Sequence, residues 1–353
     1  MNHKARRNFT SDNVTGAAPE MLAALAAANE GQAPGYGNDE LSKRLTERAR
    51  QVFECELAIL PVTTGTAANA LALSLLAPPY GAVYCHETAH VMTDECGAPE
   101  FYSGGAKLLC LGGAEGKLLP ADIEASMALI ATMGVHHVQP SAITLSQATE
   151  WGTVYGLEEL DALGATARAH KLAVHMDGAR FANALVHLGC SPAEATWKRG
   201  VEVLSLGATK NGALAAEAVV LFNPKLEGEL AFRRKRAGHL WSKMRFQSAQ
   251  LLAYFEGDLW LRHARTANAL ASRLAAGLVA AGGRLVAKVD ANEIFVVLPA
   301  AQIAALKGDG YDFYDWPVPR GETGGVIRLV TAYDMVAADV EALIGAATLH
   351  APR

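Results

Sequence analysis

Short runs of mostly apolar, often β-branched residues recur along the first two thirds of the chain, at 57–62, 82–85, 107–111, 142–147, 172–176, 202–206 and 218–222. Runs of this length bounded by Gly, Asp or Thr read as buried strands. Between them lie longer stretches whose composition and end signals predict helices over 19–30, 38–53, 67–77, 120–132 and 157–171. Pro19 stands at a first helical position and Gly31 just beyond the end, and Asn38 is expected to cap the helix that finishes at Phe53. Strands alternating with helices of this size imply βαβ units and a mostly parallel sheet. Such a sheet gathers its ligand-binding loops at the carboxyl ends of its strands. After Phe222 the texture changes: two long helices, 224–255 and 258–281, follow one another without a strand. The remainder, with apolar segments at 293–299, 302–307, 326–331 and 336–349, reads as a small α+β layer. The expected organisation is an α/β chain with an N-terminal arm and large domain over 1–257 and a small C-terminal domain over 258–353.

Composition narrows the class. The 353 residues are 51% hydrophobic and 19% charged, with a formal net charge of −5, so the chain reads as an ordinary globular protein with no general attraction to nucleic acid or anionic lipid. No stretch approaches the ~18–20 apolar residues of a membrane span, and the basic start MNHKARRNFTSDN lacks the apolar core of a secretion signal. It is read as an arm of a cytoplasmic protein. The five cysteines are scattered without a CxxC pair, which argues against a disulfide frame and a cysteine zinc site.

The chemistry centres on VEVLSLGATKNG, an apolar strand that ends in a Gly/Ala/Thr-rich loop bearing Lys210. A lysine amine captures carbonyls when its site orients it and lowers the cost of losing its proton. A lone lysine is more often a solvated surface residue; its neighbours shift that balance. LAVHMDGARF is a second strand ending in Asp177, with Arg180 three residues on. Asp177 suits a helix N-cap, the commonest role of a strand-to-helix Asp, and also the partner of a pyridinium nitrogen. Thr63-Thr64-Gly65-Thr66, between a strand and a helix, offers backbone N–H groups, hydroxyls and a helix dipole to a phosphate, and it is neither GxGxxG nor a Walker loop. A phosphate cup, then an Asp-ending strand, then a lysine-bearing loop is the order used by fold-type-I enzymes of pyridoxal 5'-phosphate (PLP).

Other motifs carry less. His86-Glu87-Thr88-Ala89-His90 matches HExxH but follows directly on a strand and lacks a third ligand, which leaves a zinc hydrolase as a remote alternative with no metal assigned. His90 alone suits stacking on a planar ring and proton transfer. The basic cluster Arg233-Arg234-Lys235-Arg236 with His239, Lys243 and Arg245 is read as mostly a solvated helix face, with one or two residues free to serve an anion site. Arg328, within the apolar strand VIRLVT, requires an anionic partner: a substrate carboxylate or a structural Asp or Glu.

Over nearly its whole length the chain resembles the L-threonine aldolase family, in the β-eliminating lyase group of fold-type-I PLP enzymes. The resemblance rests on the order and spacing of SDNVT, PGYGND, TTGTAAN, AHVMTDECG, HMDGARFANA, SLGATKNGA, KMRFQSAQ and IRLVTAYD. It implies a PLP-dependent transferase-like fold (fold type I) and a Schiff base between Lys210 and the cofactor. Asp177 is then on the pyridine nitrogen, Gly65 and Thr66 on the phosphate, His90 stacked on the ring, and Arg180 beside cofactor and substrate carboxylate. Ser11 and Arg328 would bind that carboxylate, Arg245 would reach a phosphate across a subunit interface, and Tyr36 would be lent to a neighbouring active site. A homotetramer built as a dimer of dimers and a small-molecule amino-acid substrate are implied too.

The implied activity is retro-aldol cleavage of L-threonine, L-allo-threonine or a phenylserine-like β-hydroxy-α-amino acid to glycine and an aldehyde. Another PLP enzyme acting on amino acids (a β-eliminating lyase, aminotransferase or racemase) would share Lys210 and Asp177. The sequence departs from the family pattern in three places. Where many relatives carry a histidine facing the substrate β-hydroxyl, this chain reads QATEWGTVY, with Thr149 and Glu150. Thr93 and Asp94 replace aromatic residues, and HLWSKMRF is longer than its glycine-rich counterpart. The proton acceptor is thus left without a residue.

Overall fold

A computed structural model describes residues 7–317 and 324–352. The first six residues of the expected arm lie outside the described residues. A short strand, β1 (Arg7–Asn8), opens the chain. The central sheet is built from β2 (Ala58–Val62), β3 (Gly81–His86), β4 (Lys107–Leu111), β5 (Gln139–Ser146), β6 (Ala173–Gly178), β7 (Val203–Gly207) and β8 (Glu217–Leu221). The C-terminal part contributes β9 (Arg284–Leu285), β10 (Glu293–Leu298), β11 (Tyr311–Asp312), β12 (Tyr314–Trp316) and β13 (Gly325–Val330).

The central order is β2-β8-β7-β6-β5-β3-β4. Every neighbour pair is parallel except those of β8, which runs against both β2 and β7. The mostly parallel sheet expected from the βαβ pattern is present with one strand reversed. The reversal follows from the connection: only a short loop separates β7 from β8, too little chain for the crossover that a parallel return needs. A smaller antiparallel sheet, β12-β13-β10-β9, forms from the C-terminal segments.

β2, β3, β7 and β8 are buried along their whole length, as strands covered by helices on either side must be, while the edge strand β4 is partly exposed. One apolar core, including Phe53, Phe181 and Trp260, underlies the central sheet; a second, including Leu274, Ile294 and Ile327, underlies the small one. The helix Leu259–Ala280 serves both, giving Trp260 and Ala264 to the first and Leu274 and Leu278 to the second. Phe9 is buried in that second core and bridges its strands, donating its N–H to Asp312 and accepting that of Val330. The start of the chain is thereby sewn onto its C-terminal sheet.

Two expected helix features differ. The helix expected over 224–255 is two, Glu227–Arg236 and Arg245–Phe255, interrupted where Gly238 adopts φ +79°, a conformation that ends a helix and that glycine enters without strain. Asp39 caps the second helix, its carboxylate accepting the Ser42 N–H at 2.9 Å, while Asn38 bonds back to Gly35 O.

His175 lies wholly buried in mid-sheet. Its Nδ1 pairs with Thr144 Oγ1 at 2.8 Å and its Nε2 with Ser205 Oγ at 2.9 Å, so β5, β6 and β7 are cross-linked by one neutral ring. Burial pushes its pKa down to about 4 against a slight opposing pull from Asp177. A base with a depressed folded pKa stabilises least at low pH, because the unfolded chain takes up the proton first. Stability is therefore expected to fall as pH drops from about 6.5 toward 4, by roughly 3 kcal/mol from this residue. Urea titrations of wild type and His175→Gln across that range test this; parallel pH dependences would refute it.

Candidate active site

Register sets the site. Ser146, Asp177 and Ser205 are direct neighbours across β5, β6 and β7, so three polar side chains meet at the carboxyl edge of the sheet. A close approach there needs glycine: a Cβ on Gly207 would fall 2.5 Å from Ala179 O. Above this edge opens a cavity of about 280 Å³, near the lower end of the ~300–1,000 Å³ range of small-molecule pockets. Gly65, Thr66, His90, Asp177, Arg180 and Lys210 all line it.

Asp177 is held from two sides. Its Oδ1 accepts the Ala179 N–H at 3.0 Å in a local turn at the strand end; this is not the helix N-cap open to a strand-end Asp, since the helix Phe181–Leu188 begins after Arg180 with no side-chain cap. Its Oδ2 accepts from Asn69 Nδ2 at 2.8 Å, and the same amide nitrogen donates to Glu95 Oε1 at 2.8 Å. Glu95 in turn receives His90 Nδ1 at 3.0 Å. Asp177, Asn69, Glu95 and His90 thus form one buried chain from β6 to the helix His90–Thr93. Burial, helped by Asp177, holds Glu95 above the usual carboxylate range against the pull of His90 and Asn69. The hydrogen bond that His90 donates to Glu95 raises the His90 pKa, outweighing the ring's burial.

A cation closes the opposite wall. Arg180 is buried, its Nε and Nη2 on the two carboxylate oxygens of Asp12 at 2.8 and 3.0 Å and its Nη1 3.0 Å from Glu293 Oε2. Asn292 adds a third contact to Asp12 at 3.0 Å. Burial alone would raise the Asp12 carboxyl; the charges of Arg180 and Lys210 and the bonds from Arg180 and Asn292 bring it below its ordinary range.

Lys210 occupies a short turn, Thr209–Asn211, fastened from behind. Asn211 donates to Tyr254 Oη and Trp260 O, both at 2.9 Å, and His263 Nδ1 meets Asn211 O at 2.9 Å. Glu217, at the start of β8, accepts the Ala208 N–H at 2.7 Å; burial lifts its pKa to about 7. The half-buried Lys210 side chain itself makes no hydrogen bond or ion pair with the described residues.

The Gly/Thr turn behaves as its sequence suggests. Thr64 caps the helix Gly65–Leu76, its hydroxyl accepting the Ala67 N–H at 3.1 Å. The N–H groups of Gly65 and Thr66 have no acceptor within the helix, and a Cβ on Gly65 would meet nothing within 4 Å. Thr63 Oγ1 bonds to His239 Nδ1 at 2.9 Å, and buried Arg234 donates to Pro61 O at 3.2 Å. Two members of the basic cluster therefore brace this turn. Arg233 pairs with Glu229, and Lys235 lies over the Tyr36 ring.

The family model for beta-eliminating lyases matches residues 8–301. The chain belongs to the beta-eliminating lyase family. A low specificity L-threonine aldolase of Pseudomonas aeruginosa is 45% identical, over 96% of this chain and 99% of its own length. One from a Pseudomonas species is 43% identical over the same shares. Among solved structures, a threonine aldolase of Leishmania major superposes with a TM-score of 0.91 at 28% identity, covering 98% of this chain and all of that one. The fold is that of fold-type-I PLP enzymes.

Four further residues expected from the family pattern lie outside the cavity wall. Ser11 caps the turn Asp12–Val14, accepting the Asn13 N–H at 3.1 Å, and that turn packs against the Lys210 turn. Arg328 rests both Nε and Nη2 on Glu293 Oε1, at 3.1 and 2.7 Å: of the two partners open to it, the structural carboxylate holds it here. Tyr36 is exposed, and Arg245 reaches Gly31 O at 3.3 Å on an exposed surface. The HExxH residues diverge: His86 ends β3 with its ring between Thr88 Oγ1 and Gly113 O, while His90 starts the next helix.

The sequence reading passed over Asp12, Asn69, Glu95, Glu217 and Glu293. Asn69 could have been noticed as the lone amide inside an Ala/Leu helix, and Asp12 as the acid beside Ser11; the glutamates carry no local signal. The Glu95 bond to His90 makes a direct prediction. Replacing Glu95 with Gln should lower the His90 pKa, followed through its imidazole proton NMR shift; an unchanged titration would exclude Glu95 as the cause.

Proposed function

We propose that the protein is a PLP-dependent L-threonine aldolase that cleaves L-threonine and related L-β-hydroxy-α-amino acids to glycine and an aldehyde. One observation carries this reading. A free lysine amine, a fixed carboxylate and an open helix start converge on one cavity, in a chain 45% identical to a low specificity L-threonine aldolase across its length.

The residues present fit the cofactor. The uncapped N–H groups of Gly65 and Thr66 and the positive end of their helix suit its phosphate. Asp177, immobilised by Asn69 and Ala179, suits a protonated ring nitrogen, and Lys210 is unspent. When bound, PLP supplies the ring that accepts the electron pair of the broken bond. The chain's own groups do the rest. Lys210 would hold the cofactor through its amine. Asp177 would hold the proton on the ring nitrogen, and His90, oriented by Glu95, would pack against the ring. Arg180 places a fixed positive charge beside cofactor and substrate.

Ser11 and Arg328 take the substrate carboxylate, which turns the Cα–Cβ bond to the orientation in which it breaks. For Arg328 this requires opening or sharing its bond to Glu293. Exposed Tyr36 and half-buried Arg245, together with exposed Phe232, Trp241 and Leu214, support a homotetramer in which neighbours complete each other's sites. We place the protein in the cytoplasm; no helix among the described residues is long and apolar enough to cross a membrane.

Lys210→Ala is expected to lose turnover of L-threonine by roughly 10³-fold or more, the scale seen when a covalent catalytic group is removed. Borohydride reduction followed by peptide mass analysis should place a pyridoxyl group on the peptide holding Lys210 in wild type and on none in the variant. Retention of both turnover and the labelled peptide by the variant would overturn the assignment.

A further inference from the structure

Six carboxylates border the cavity or its charged wall, and five are committed elsewhere, Glu293 among them to Arg180 and Arg328. Asp12 is taken by Arg180 and Asn292, and Asp177 by Asn69 and Ala179. Buried Glu95 holds His90, and buried Glu217 holds the Lys210 turn. Glu150 differs. It lines the cavity but is only half-buried. Its Oε1 accepts the His90 backbone N–H and the Ser146 hydroxyl, each at 3.3 Å, and its Oε2 bonds to no described group. No described cation makes an ion pair with it.

The loop that carries Glu150 is rigid. Gln147 exchanges both its amide bonds with Tyr155, at 3.0 Å each, while Thr149 N–H reaches Thr153 O and their hydroxyls meet at 2.7 Å. Asp290 accepts the Val154 N–H at 3.1 Å, and Trp151 packs on Phe295 with centroids 5.0 Å apart. A carboxylate kept in place at this cost in polar organisation, with one oxygen unspent in a cavity, is arranged to receive a proton from whatever the cavity holds.

We propose that Glu150 accepts the β-hydroxyl proton of the substrate. The inference rests on the aldolase reading above. The O–H proton passes to Glu150 Oε2, the C–O bond becomes the aldehyde C=O, and the Cα–Cβ bond breaks with its electron pair left on the glycine fragment. A proton is then added at Cα, so none is gained or lost overall. The surroundings suit this role. Burial and the nearby negative charges of Asp177 and Glu293 raise the Glu150 pKa, against the weaker pull of Lys210 and His90. A carboxylate that is a stronger base than usual holds a hydroxyl proton better.

That arrangement also costs stability. A carboxyl whose folded pKa is raised binds its proton in the native state where the unfolded chain has released it, so its contribution declines as pH rises through that window. Replacing it with Gln removes the penalty at high pH and changes little where the carboxyl is protonated.

The test compares holoenzymes of wild type, Glu150→Gln and Glu150→Asp. In the Gln variant kcat/KM for aldehyde release from L-threonine should fall by about 10²–10⁴-fold, the range for loss of a general base, with part restored by Asp. Exchange of the glycine α-proton in D₂O, which involves no β-hydroxyl, should stay within about threefold, the size of an indirect effect rather than of a lost general base. The thermal midpoint of the Gln variant should equal or exceed wild type at pH 8, with the gap closing toward pH 5. Cleavage by the Gln variant at the wild-type rate would overturn the proposal. So would joint loss of cleavage and exchange with a lowered midpoint, which would make Glu150 structural. If wild type itself neither released aldehyde nor exchanged glycine, the aldolase reading would fail first and take this proposal with it.

Discussion

The buried guanidinium of Arg180 is the constraint on which this site depends. A charge taken out of water is tolerated only with close opposite partners, and loss of one partner from such a pair typically costs about 3–5 kcal/mol. Arg180 finds its partners in Asp12, near the start of the chain, and Glu293, in the C-terminal sheet. Glu293 also takes Arg328. One charge balance therefore fastens the N-terminal turn, the central sheet and the C-terminal sheet around the same cavity. Phe9 repeats the connection in apolar and backbone terms, buried in the C-terminal core a few residues before Asp12.

With that wall fixed, the remaining groups sort by what they are bonded to. The Asp177–Asn69–Glu95–His90 chain links the end of β6 to the imidazole, so the residue proposed to face a ring nitrogen and the residue proposed to cover the ring are set by one network. Lys210 and Glu150 stand apart because each keeps a reactive atom unspent while its backbone is tightly held. Rigid support with a free functional atom is what a site needs if reaction geometry is to come without reorganisation.

Much of this could be read in the chain. The strand runs, the Gly/Thr turn before an Ala-rich helix, and Asp177 and Lys210 at strand ends all follow from local rules about periodicity, turns and strand-end loops. The direction of β8 and the break at Gly238 were missed because both depend on short connections whose conformation is not written in hydrophobic periodicity. The acids were missed for a different reason. Glu95, Glu217 and Glu293 have meaning only through partners distant in sequence or through burial in the tertiary fold, and nothing beside them in the chain names those partners. Arg328 shows the converse: the sequence demanded an anion for it, and only the fold could say that Glu293 stands there.

Cleavage of the Cα–Cβ bond by a PLP enzyme is tested most directly by product stoichiometry. Purified holoprotein incubated with L-threonine should release acetaldehyde and glycine in equal amounts, with no keto acid formed and no D-threonine appearing. Keto-acid formation or racemisation without glycine would contradict the claim and assign the same lysine and carboxylate to a different reaction.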